Sequence, residues 1–183
     1  MPNDLTTNDL TTSQNFSDQV LEVIKREGGF VNHPADRGGA TKYGITITTL
    51  QEWRKKDVSI GDVGSLTVEE ASEIYISNYY KKPGFSNFKD SKLQILLFDT
   101  AVHSGTAAAT KMLQRAVGVK DDGIIGAITI QTVNLVPDSG LLRRKFLGQR
   151  FRYIGNILTK DHEQAVFAAG WINRISGLLE RYG

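Results

Sequence analysis

EGGFVNHPADRGGATKYGIT, running from Glu27 to Thr46, is the stretch from which the rest of the chain is best read. It puts one carboxylate, Glu27, at the end of an apolar helical period, then two Gly pairs, a second carboxylate at Asp36, and a Thr/Tyr/Gly cluster. Upstream, Val20 and Ile24 mark a buried stripe, and three further residues of helical period land on Glu27. Glu27 is therefore expected on the apolar side, at the negative end of a helix, where desolvation and the dipole both disfavour a charged carboxylate. That helix is expected to start at Ser17, with Asp18 beside its positive end and Phe16 and Leu21 forming a hydrophobic staple. Gly28 can take a left-handed conformation and stop it. From Val31 to Ile45 there is no helical period, and Pro34, Gly38, Gly39 and Gly44 predict tight turns with one short hairpin.

Beyond Thr46 helical patterning returns. A helix is expected from Thr46 or Thr48 to Lys56, with Leu50 and Trp53 on one face, followed by a Gly-containing loop to Leu66. Thr67 to Glu70 reads TVEE, a capping-box signature opening a helix that carries Ile74, Tyr75 and Tyr79 and stops before Pro83. Further helices are expected over 92–103, with Asp99 inside, and over 107–117, closed by Gly118. VKDDGIIGAIT then turns into a helix ending before Pro137, and two helices, about 138–158 and 163–180, finish the chain. No alternating strand stands outside 27–46, so the expected fold class is mainly α with a short irregular loop or hairpin.

Composition narrows the function. The 183 residues are 40% hydrophobic and 23% charged with a net charge of +2, which describes an ordinary soluble globular chain with a mild preference for acidic partners. With no cysteine there is no disulfide and no thiolate nucleophile. His33, His103 and His162 lack zinc spacing, so neither a metal nor a cofactor is expected. No GxSxG elbow or phosphate-binding glycine loop occurs. No basic block interleaved with aromatics supports nucleic-acid binding. The basic run Arg143, Arg144, Lys145 with Arg150 and Arg152 is read as a solvated helix face, or else as a contact for anionic polymers. The polar residues 1–15 have neither the basic nor the apolar region of a secretory signal, and no apolar run approaches bilayer-spanning length.

What remains is carboxylate chemistry. Glycoside hydrolysis uses two carboxyl groups flanking the scissile bond, and Glu27 as acid with Asp36 as partner across the loop satisfies that requirement. Asp36 is equally the Asp of a Pro-Ala-Asp-Arg-Gly turn bonded to local backbone. Thr41 can hold a water or a sugar hydroxyl, and Tyr43 can stack on a sugar ring, or both can pack the loop. Tyr75, Tyr79, Tyr80 and Phe85 form an aromatic group suited either to a saccharide groove or to a core. Asp99 and His103, one turn apart, can pair with each other near a cleft or in the core.

Glu27-Gly28-Gly29, Asn32, Pro34, Asp36, Gly38-Gly39, Thr41 and Gly44-Ile45-Thr46 together resemble the signature of glycoside hydrolase family 108, the N-acetylmuramidases of phage endolysins and holin-associated export systems. AATKMLQRAVGVKDDGIIGAIT and the segment from Phe167 to Arg174 resemble the helical peptidoglycan-binding module that follows the catalytic part in that family. The resemblance implies a lysozyme-like fold, with Glu27 as catalytic acid and Asp36 in line with the family's Asp before the second Gly pair; Asn32, Thr41, Tyr43, Tyr79 and His103 are the expected substrate contacts. His103 stands where members often read Asn, and His33 where they often read Asp. The implied organisation is a polar tail over 1–16, a catalytic part over 17–105 and a binding part over 106–183. The implied substrate is the peptidoglycan glycan strand. The protein is expected to be made in the cytoplasm without a Sec signal and to reach the wall by holin-type release, without stable membrane insertion or nucleic-acid binding. Alternatives are a lytic transglycosylase and a non-catalytic wall-binding, secretion-assisting protein.

Overall fold

The computed structural model describes the backbone of residues 7–32 and 39–183, with side chains from residue 16 onward. The chain is mainly helical, with one two-stranded hairpin among the described residues. It divides into two compact units, 1–78 and 79–183.

The first unit begins with α1 (Thr7–Glu27). The helix starts ten residues before the expected cap at Ser17, which is therefore an interior position, and neither that cap nor the Phe16–Leu21 staple exists. Thr and Asn are weak helix formers but do not forbid a helix, and local propensity yields to context. Val20, Val23 and Ile24 are buried on the face that packs against α4 (Val68–Ile76). Gly28, at φ +85°, ends α1 as expected.

The hairpin follows. Val31 and Thr41 exchange both backbone hydrogen bonds at 2.8 Å, and β1 (Thr41–Lys42) pairs antiparallel with β2 (Ile45–Thr46) in the register Thr41–Thr46 and Lys42–Ile45. Thr46 caps α2 (Ile47–Arg54) by accepting from the Thr49 N–H. The expected loop before Leu66 holds a five-residue helix, α3 (Ile60–Gly64), whose capping box joins Ser59 and Asp62. Thr67 caps α4 as its sequence predicts. Arg54 ties α2, α3 and α4 together, bidentate to Glu70 at 2.8 and 2.7 Å and bonded to Asp62 at 3.1 Å. A π-helical turn, Ser77–Lys81, carries the chain on toward Pro83.

The second unit is a helix assembly of α5 (Ser91–Ser104), α6 (Thr106–Val117), α7 (Ala127–Asn134), α8 (Ser139–Lys160) and α9 (Ala168–Tyr182). Its apolar core includes Phe85, Leu96, Leu97, Leu113, Phe146 and Ile175. At the meeting of α5, α8 and α9 lies a buried ionic triad. Asp99 accepts from Arg150 Nη1 at 2.7 Å and from Arg174 Nη2 at 2.6 Å. Arg150 is 1% exposed, so it departs from the solvated basic face on which its neighbours lie, and its Nε and Nη2 have no partner among the described residues. Burial alone would raise the Asp99 carboxyl. The Arg150 and Arg174 charges outweigh it and hold the group below the ordinary Asp range.

Candidate active site

The candidate site is built where the hairpin turn meets the end of α1. Tyr43 and Gly44, the two turn residues, have φ of +54° and +72°. Positive φ at both positions gives the tight turn whose twist matches antiparallel strands, and it normally favours Asn-Gly. A tyrosine in that region is strained by about 1–3 kcal/mol, and such strain persists only where neighbours fix it. Three contacts do so. The Tyr43 N–H donates to the Gly28 carbonyl at 3.1 Å, just past Glu27. The Tyr75 hydroxyl donates to the Tyr43 carbonyl at 2.9 Å. Lys42 Nζ lies 5.3 Å from the Tyr43 ring centre and donates to the Gly64 carbonyl at 2.8 Å.

Gly44 faces the acid. A Cβ placed on it would lie 3.0 Å from Glu27 Oε2, 3.4 Å from Glu27 Cβ and 2.7 Å from Tyr75 Oη. The turn can therefore sit against the carboxylate only because no side chain stands there. The same vacancy explains a correction. Glu27 is exposed, not buried as its helical phase predicts. Val20, Val23 and Ile24 are covered by packed side chains, whereas one turn later the covering residue is a glycine and the carboxylate stays open to solvent. Among the described residues no cation forms an ion pair with Glu27.

The other sequence-predicted site residues fall as follows. Thr41 opens β1, two residues before the turn, and Asn32 is exposed immediately after the Val31 bridge. Glu27, Thr41, Tyr43 and Asn32 thus belong to one local structure. Asp36 and His33 lie outside the described residues. Tyr79 and His103 belong to the second unit. Tyr79 packs against that unit's core. His103 meets Trp171 edge-on at 6.0 Å between ring centres, Trp171 stacks on Phe167 at 5.8 Å, and His103 Nδ1 is 3.4 Å from Ser104 Oγ. The expected Asp99–His103 pair is replaced by the arginine triad, since Arg150 and Arg174 reach the Asp99 oxygens directly. Partial burial of its ring, then the Arg150 and Arg174 charges, push His103 below the ordinary imidazole value against the opposing pull of Asp99.

The sequence offers Tyr75 as groove or core and Gly44 as a turn residue, and places neither against Glu27. Tyr75 is buried and on helical spacing, so it reads as core, yet its hydroxyl is the tip that reaches the turn. Among the described residues there is no group of three or more His, Cys, Asp or Glu able to hold a metal ion. No helix there is long and apolar enough to cross a membrane.

The sequence matches the family described as Glycosyl hydrolase 108 over residues 20–105 and the one described as Predicted Peptidoglycan domain over residues 108–176. The solved structure of Brucella abortus SagA is similar, at 35% identity and a TM-score of 0.72, over 93% of this chain and 94% of that one. No curated protein matches the chain.

Proposed function

Because the chain belongs to glycosyl hydrolase family 108 and carries a predicted peptidoglycan domain behind the hydrolase part, we propose that it is an N-acetylmuramidase cleaving the β-1,4 bond between N-acetylmuramic acid and N-acetylglucosamine in peptidoglycan. The observation that carries the reading is the Glu27 carboxyl, set at a helix end, open to solvent, and beside a turn where a Cβ on Gly44 would lie 3.0 Å from its Oε2. A strained turn locked over an uncovered carboxyl suits a group that must meet a bond in one orientation. Glu27 protonates the leaving glycosidic oxygen, and the glycan lying over it supplies the water exclusion that the free site lacks.

Asp36 is the proposed second carboxylate, activating water or steadying the oxocarbenium-like transition state. Thr41 and Asn32 offer polar contacts to sugar hydroxyls, and Tyr43 offers a ring face. Tyr79 and His103 are proposed saccharide contacts of the second unit. We take residues 17–105 as the catalytic part and 106–183 as the part that holds the wall, with cell-wall lysis or holin-linked export as the setting.

The test is clearing of purified sacculi by wild type and Glu27→Gln, with mass analysis of the products. A loss of at least about a hundredfold is expected, since proton donation contributes on the order of 10² to 10⁴ in rate. Equal clearing by the variant removes Glu27 from the mechanism. A reducing-end muramic acid identifies hydrolysis, and an anhydro sugar would move the protein to the lytic transglycosylases.

A further inference from the structure

In the second unit α8 carries six Lys and Arg residues and not one Asp or Glu in its 22 residues. Three of the six have evident uses. Arg143 bonds Asp90 at 2.6 Å, Arg150 is buried on Asp99, and Lys160 lies in the last turn, where the helix dipole favours a cation. Arg144, Lys145 and Arg152 remain. All three are exposed, and among the described residues none is in an ion pair.

These three line one groove, of about 550 Å³, together with Arg115 of α6 and Gln149. Among the described residues no carboxylate lines it. Arg115 is held at the edge by Asp121, at 2.6 Å. Like charges gathered on one helix stripe repel, and folding alone gives no reason to collect them in a concavity. The groove runs on, through the shared Ala116, Leu141 and Lys145, into a second hollow of about 370 Å³ walled by Val117, Val136 and Pro137 and also lined by Asp138, whose Oδ1 is engaged in capping α8 by accepting from the Leu141 N–H. Among the described residues no aromatic side chain lines either hollow, so these offer no platform for stacking nucleic-acid bases. A ligand matched to this surface is short and extended, with free carboxylates along one part and small apolar groups along the other.

We propose that the groove between α6 and α8 binds the peptide stems of peptidoglycan, with Arg144, Lys145, Arg152 and Arg115 receiving their free carboxylates and the Val117–Pro137 hollow taking alanine methyl groups. This rests on the reading of the protein as acting on peptidoglycan, and within the second unit it assigns the stem to the groove between α6 and α8. Arginine suits the task because its planar fork meets a carboxylate through two parallel bonds.

The test uses the full chain and two forms of purified sacculi, native and with stem carboxyls converted to amides. Wild type should pellet with native sacculi, and its retention should fall at least tenfold on amidation and with added salt. The triple variant Arg144→Glu, Lys145→Glu, Arg152→Glu should lose as much on native sacculi and nothing further on amidation. The milder Arg144→Gln, Lys145→Gln, Arg152→Gln carries the test if charge reversal prevents folding. Undiminished pelleting of the variants, or a wild type indifferent to amidation, overturns the proposal. So does a wild type that ignores amidation but uses these residues to hold DNA or anionic vesicles. Cleavage of stem-free glycan strands, expected to be equal in wild type and variants, separates the two readings: its absence in wild type strikes the muramidase assignment and leaves the pelleting result standing.

Discussion

Gly44 is where the hairpin and the acid meet, and its replacement is the sharpest residue-scale prediction. Gly44→Ala would put a methyl 2.7 Å from the Tyr75 hydroxyl and 3.0 Å from Glu27 Oε2, at a φ that also disfavours it. Left-handed backbone costs a non-glycine residue about 1–2 kcal/mol, so the protein should fold with a modestly lower melting temperature. Because a misplacement of about 1 Å can cost on the order of a hundredfold in rate, sacculus clearing should fall at least tenfold, far more than the stability change explains. Tyr75→Phe keeps the packing and removes one hydrogen bond, worth about 1 kcal/mol. It should lower kcat more than it changes KM, and unchanged kinetics in both variants would make the turn a passive neighbour of Glu27. The sequence announced Glu27, Thr41 and Tyr43 through their local motif. It could not announce the contact from Tyr75, which lies 32 residues from Tyr43 and sits on a helix whose period reads as core.

At the scale of elements, caps were legible at several helix starts, though not at Ser17, which lies inside α1. Thr46, Thr67 and Asp138 each accept from an N–H in the first turn of the helix they open, as short polar side chains before an apolar period predict. The Ser59–Asp62 capping box carried the same signal for α3, but two glycines in five residues hid the helix. The illegible element-scale feature is the triad joining α5, α8 and α9. Arg150 lies two residues from the exposed Arg152, and only the helix's rotation separates one that packs inward from one that does not. Removing one member strands the others, so Asp99→Asn should cost about 3–5 kcal/mol, read as a lower urea midpoint of the full chain. Asp99→Leu with Arg150→Met should cost less than Asp99→Asn alone, because it leaves no fully buried charge unmatched, while the partly exposed Arg174 keeps access to water. A double variant less stable than the single would mean that the triad contributes net stability of its own.

For the molecule as a whole, the shifted carboxyls all lean the same way. Asp62 is lowered by the Ser59 hydroxyl and Glu70 by Arg54, while Asp121 is lowered by Arg115 and Asp122 by Gln114. Asp99 is lowered by its two arginines despite its burial. A carboxyl held below its unfolded value contributes stability that is complete above that value, about 4, and is lost as pH falls through the folded one. His103 acts in the same direction at higher pH, since its folded value lies below that of the unfolded chain, near 6.5. Between the two values the unfolded chain binds more protons, so acidification favours unfolding there as well. Melting temperature should therefore be level above about pH 6.5, decline gently below it, and fall steeply under about pH 4. His103→Asn should remove the gentle part and leave the steep one. Asp99→Asn should shallow the steep part while lowering the whole curve. With every shifted carboxyl among the described residues lowered, a protein that gains stability from pH 7 to 5 would contradict the sign of the His103 shift, because a histidine that charges more readily when folded rewards acid in that range.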